Sequence, residues 1–186
     1  MRKFSVHDLT TGMIGPPSLI ACGISAIVGV FLTWVIVPLY DDLVLPIAGW
    51  RLIIWSRSLG ETFPEPYLVL AGGGLMALCG AIMTIGMIPA VKARLGDTLI
   101  KRVRSVFTVG ACAGALAAVI GAIWFIPHIL GLGEEGTLGV GFYLAILAAA
   151  LGLVFALALL PGFWQSGLKG IKTLYKMIIG DYNSAP

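Results

Sequence analysis

Apolar positions in this chain gather into four runs, Ser18 to Val37, Tyr67 to Ile88, Ser105 to Ile126 and Gly139 to Leu160, and none contains an Asp, Glu, Lys or Arg. Each has about the 20 residues that an α-helix needs to cross a hydrocarbon core roughly 30 Å thick. Lipid offers the backbone no hydrogen bonds, so runs of this kind close their own as helices. The pattern predicts an all-α membrane protein: an up-down bundle of four transmembrane helices, over approximately 18–37, 67–88, 105–126 and 139–160, forming one domain across 1–186. The first run is longer than a secretory h-region and no small-x-small site ends it, so it reads as a retained span rather than a signal peptide.

Within the runs small side chains recur in steps of four and three. The first carries Cys22, Ala26, Gly29 and Thr33, and the second Gly73, Ala77, Gly80 and Thr84. The third carries Gly110, Gly114, Ala117 and Gly121, and the fourth Ala145, Ala149, Gly152 and Ala156. That spacing keeps one stripe turned toward a neighbour in a left-handed coil. Between lipid-immersed helices apolarity supplies no net drive, so close backbone approach must hold them together. The expected packing positions are therefore Ala26, Gly29, Gly73, Ala77, Gly80, Gly110, Gly114, Gly121, Ala149 and Gly152.

Prolines stand near the far end of every run, at Pro38, Pro89, Pro127 and Pro161, as stops or kinks. The connection from Pro38 to Pro66 is too apolar for a solvated loop. Trp50, Ile53, Ile54 and Arg57 fall at the spacing of a short interfacial helix, with a small strand pair as the alternative. Trp50, Trp55 and Arg51 are its candidate contacts to a partner. After Trp164, Leu168, Ile171, Leu174, Tyr175 and Ile178 share one side and Lys169, Lys172 and Lys176 the other. This predicts an amphipathic helix over approximately 165–180, lying on the membrane surface with those lysines toward anionic lipid.

Composition agrees: of 186 residues 59% are hydrophobic and 11% charged, with a mean hydropathy of +1.00, outside the range of ordinary soluble domains. The net charge of +3 is explained by its distribution rather than by nucleic-acid binding. Arg2 and Lys3, then Lys92, Arg94, Lys101, Arg102 and Arg104, then Lys169, Lys172 and Lys176 all fall on one side of the predicted membrane. Arg51 and Arg57 are left for the other, beside Asp41, Asp42, Glu61, Glu65, Glu134 and Glu135. The positive-inside rule then puts both termini in the cytoplasm, and the cell membrane is the expected location.

The chemistry is sparse. His7 and His128 belong on opposite sides and cannot share a metal or haem. Cys22, Cys79 and Cys112 lie inside spans as small hydrophobes, not as a disulfide framework. No nucleophile, base and orienting group can be assembled, and an outer-face enzyme would draw on Asp41, Asp42 or Glu61. The spans lack the ionisable residues of ion-coupled carriers, leaving Ser25, Thr33, Thr84 and Thr108 as polar groups whose hydroxyls can bond the preceding turn. No catalytic residue, metal ligand or cofactor site is therefore expected.

In its order of parts the chain resembles the claudin-like group of tetraspan proteins. The likeness rests on four spans with inner termini, Trp34 closing the first, Gly49-Trp50 in a long first outer loop, a shorter second loop, and Gly/Ala-rich third and fourth spans. It is also similar to small prokaryotic four-span proteins of unassigned role. The claudin resemblance implies an outer sheet and a junctional role, but claudins carry a cysteine pair in that loop and Pro38 to Pro66 has none. The expected function is a non-enzymatic membrane scaffold or accessory subunit. It would associate with itself or a larger membrane complex through small-residue faces and the aromatic loop. The alternative is an oligomeric channel or small-solute transporter.

Overall fold

A computed structural model describes residues 14–38, 44–59, 63–130 and 137–160, with side chains described as far as 54 in the second segment and 127 in the third. Prolines open the first two long helices. Pro16 and Pro17 occupy the first turn of α1 (Gly15–Phe31), where a missing N–H costs nothing. β1 (Thr33–Pro38), β2 (Val44–Ala48) and α2 (Gly49–Leu59) follow. Pro64 caps and Pro66 enters α3 (Glu65–Ile85). Pro89 begins the short α4 (Pro89–Leu95), and α5 runs from Asp97 to Leu130 with Pro127 inside it. β3 (Thr137–Leu138) leads into α6 (Val140–Leu159). Between α4 and α5, Gly96 takes a φ of 76°, a left-handed conformation in which a Cβ is strained. Its N–H donates to Lys92 O, closing α4.

Four helices pack as a ring, α1 against α3, α3 against α5, α5 against α6 and α6 against α1, with little contact across the diagonals. Three of them, α3, α5 and α6, are long and apolar enough to cross a membrane. The chain is an integral membrane protein by that measure. α1, at 17 residues, is apolar but shorter. The outward faces fit a lipid solvent: Leu78, Val109, Leu116, Leu147, Leu151 and Val154 are exposed, a surface water would not tolerate.

The first apolar run departs from the expected helix. The chain leaves α1 at Phe31, and Thr33 to Pro38 form a strand. Thr33, Val35, Ile36 and Val37 are β-branched and Trp34 is aromatic, residues that favour a pleated surface. Hydropathy alone does not separate an apolar strand from the end of an apolar helix. Thr33 is thus removed from the helical stripe assigned to it. The strand order is β2-β1-β3, all antiparallel. Val35 pairs with Leu138, so the sheet joins both connections on that side of the bundle. The first connection is strand and helix in succession rather than one or the other. The tail expected to form a helix over 165–180 lies outside the described residues.

Candidate functional site

Two constructions stand out, a set of glycine seams that close the bundle and an aromatic layer that fixes the sheet to one end of it.

At the seams, glycines meet in reciprocal pairs. A methyl group added at Gly23 would collide with Gly73 O, and one at Gly73 would lie 3.0 Å from Gly23 O, which joins α1 to α3. Gly72 and Gly114 oppose one another's carbonyls in the same way between α3 and α5, and so do Gly29 and Gly141 between α1 and α6. With no Cβ in the way the backbones approach until Cα–H groups meet carbonyl oxygens, a weak attraction that repeats at each crossing. Further positions extend the contacts. A methyl at Gly80 would sit 2.8 Å from Pro16 O, at Gly110 3.0 Å from Cys79 Sγ, and at Gly121 2.8 Å from Leu68 Cβ. At Gly152 it would strike the Met76 thioether.

Ala26 and Ala149 are fully buried in the core, and Ala77 is half-buried against Gly23. The expected small residues thus face neighbouring helices of the same chain, but each reciprocal pair has one member outside the expected set: Gly23, Gly72 and Gly141. On α5 the fully buried stripe is Ala111, Ala115, Ala118 and Ala122. It lies one residue along from the expected set, of which Gly110 and Ala117 are only half-buried. A helix in a ring has two neighbours, so its buried arc is wider than one stripe.

The aromatic layer is centred on Trp34, which is completely buried. Its ring meets Phe125 edge-on at 5.0 Å between centroids and Phe142 at 5.8 Å. The indole N–H donates to Gly29 O at 2.9 Å. That carbonyl lies in the last turn of α1 and also accepts the Leu32 N–H at 3.2 Å, so the indole is its second donor. Gly49 packs on the indole, where a Cβ would lie 2.9 Å from the ring. Its N–H reaches Leu32 O, while Gly139 N–H donates to Trp34 O at 2.7 Å. One tryptophan therefore holds α1, the sheet, α2, α5 and α6 in register.

Glu65, in the first turn of α3, is also fully buried. Its carbonyl is 2.9 Å from where a Gly121 Cβ would be, one turn before Phe125. A carboxylate at a helix N-terminus is favoured by the macrodipole. Glu65 stands between Pro64 and Pro66, and the proline in the first helical turn is the sequence sign of a helix start here.

Of the expected loop contacts, Trp50 is half-buried and packs on the core. Arg51 is exposed with its guanidinium 5.6 Å from the Trp50 ring centre, a cation–π distance. The Trp55 side chain, Asp41, Asp42, Glu61, the His128 side chain, Lys169, Lys172 and Lys176 lie outside the described residues. Among the described residues no three His, Cys, Asp or Glu gather as a metal site, and the three cysteines are free. The hydroxyls of Thr84 and Thr108 donate at 2.8 Å to Gly80 O and Arg104 O of their own helices.

No protein-family model matches the chain, and no curated protein matches it.

Proposed function

We propose that this chain is a non-enzymatic, four-span membrane scaffold or accessory subunit, with both termini on the cytoplasmic side of the cell membrane. The observation that carries the reading is the sheet platform locked by Trp34 onto an interior closed by glycine seams. α1 is taken as the fourth span because it reaches the depth of its neighbours, with Pro16 against Gly80 near one end and Gly29 against Gly141 near the other. Lys92, Arg94, Lys101, Arg102 and Arg104 lie at the end opposite the sheet, which favours that end as the inner one. In layout the platform is in keeping with the claudin-like likeness, which we retain as a proposal.

The small-residue faces that a lateral contact was expected to use are occupied inside the bundle. We therefore assign the contact with a second copy or another subunit to the outer layer. There the edge strand β2 exposes Val44 and Leu45, and α2 exposes Ile54. The fully buried Thr108 and the bonded hydroxyls of both threonines support a scaffold over a conducting pore.

The test is photo-cross-linking in native membranes at natural expression level, with the probe placed at Val44 or Ile54. A cross-linked second membrane protein, or a dimer, is expected from the outer-layer positions and not from a probe at Leu151. Only monomers from every position would end the scaffold reading.

A further inference from the structure

At the basic end, α3, α4 and α5 enclose a groove of about 460 Å³. Its walls include Ile82, Met83, Ile85, Leu95, Ile100 and Val103, and its charged members are Lys92 and Arg104. A second cavity of about 400 Å³ adjoins it, lined by Lys101, Arg104, Ser105, Thr108 and Leu159. Arg104 is common to both. Lys92 is paired with Asp97 at 3.3 Å, both largely exposed, whereas no described residue makes an ion pair with Arg104 or Lys101.

Depth matters as much as charge. Arg104 is the last charged residue of α5, and 105–127 carries none. The guanidinium therefore stands where the apolar length of the helix begins, while the groove walls are apolar. An aliphatic groove beside Arg104 and Lys101, which no described residue pairs, at the edge of the hydrocarbon matches a phospholipid with a net negative headgroup, since such pockets between helices attract anionic lipid.

We propose that this groove binds one anionic phospholipid of the leaflet at the basic end. An acyl chain lies along Ile82, Ile100 and Val103, and the phosphate is held by Arg104 and Lys101 with Ser105 as a hydroxyl donor. The guanidinium offers the phosphate a fork of N–H groups. The proposal rests on α3 and α5 crossing the bilayer and not on the scaffold role, so either can fail alone.

The test uses the full chain, purified and delipidated in neutral detergent, with bound lipid counted by native mass spectrometry. Phosphatidylglycerol is expected to bind saturably at one per chain and well ahead of phosphatidylcholine. Changing Arg104→Gln and Lys101→Gln together should weaken it about thirty-fold, the product of two basic contacts. Changing Arg94→Gln and Arg102→Gln removes the same charge outside both cavities and should leave binding intact. Val103→Trp, which fills the groove, should weaken phosphatidylglycerol while sparing any binding of glycerol 3-phosphate.

Equal losses from the two charge pairs would reduce the site to general attraction and overturn it. So would equal retention of the two lipids, or glycerol 3-phosphate competing as well as the lipid, which would mark a free-anion site. Failure of cross-linking from Val44 with lipid binding intact would remove the scaffold role alone.

Discussion

Three consecutive glycines, Gly72, Gly73 and Gly74, have three different surroundings. Gly72 lies against Gly114 O on α5 and Gly73 against Gly23 O on α1, while a Cβ at Gly74 would meet nothing within 4 Å. Successive residues on a helix point about 100° apart, so a run of three can serve two neighbours and leave one member idle. Gly72→Ala should push α3 from α5 at a carbonyl that has nowhere to go, costing about 1–3 kcal/mol. Gly74→Ala should stay within about 0.5 kcal/mol of the parent or gain slightly from helix propensity. Unfolding by SDS titration in mixed micelles, followed by tryptophan fluorescence, compares the two directly. Equal costs would mean that α3 is rotated from the described position.

Pairs of this kind were partly visible in the pattern, because steps of four and three mark a face. Which glycine meets which helix was not, since that depends on the order of helices around the ring. The burial of Glu65 was hidden for a related reason: a lone acid beside two prolines looks like any loop residue until the helices that cover it are in place.

At the scale of elements, the joint between β1 and α6 carries most of the information that periodicity could not supply. Val35 and Leu138 are partners more than a hundred positions apart, and no local rule reads a pairing of that span. Helices α3, α5 and α6 were legible because a long, charge-free run has one stable form in lipid. The strand at the end of the first run was not, because Trp34-Val-Ile-Val continues the same hydropathy. The joint closes at Gly139, where an added Cβ would collide with Thr33 O.

Gly139 has an extended backbone, φ −87° and ψ 166°, which valine adopts without strain, so Gly139→Val tests the contact rather than the conformation. It should destabilise the joint by roughly 1–3 kcal/mol. Amide exchange should quicken at Thr137, Leu138 and Gly139 while the middle of α3 and α5 stays protected. Uniform acceleration throughout would show that the sheet is not a separately opening unit.

For the whole molecule the decisive property is whether the interior is dry. Two clusters fill it, one around Trp34, Phe125 and Phe142 at the sheet end and one around Leu19, Met76, Cys79 and Ala156 toward the basic end. Glycine brings the helices close between these clusters, and the hydroxyls of Ser18, Thr84 and Thr108 are bonded to their own backbones. Two native thiols test this without any mutation, because Cys22 and Cys79 are buried and Cys112 is half-buried.

A thiosulfonate reagent reacts with thiolate, which forms readily only where water reaches the sulfur. In sealed vesicles opened to the reagent from both sides, a small charged thiosulfonate should leave all three cysteines unmodified over the time in which an exposed control thiol reacts fully. After SDS denaturation all three should label, which intact-mass analysis would count. Cys112 alone labelling would indicate water at one outward seam of α5 and leave the core reading in place. Rapid labelling of Cys22 or Cys79 in the native protein would place water between the helices themselves. The glycine seams would then be the lining of a path rather than a seal, and a conducting oligomer would replace the scaffold.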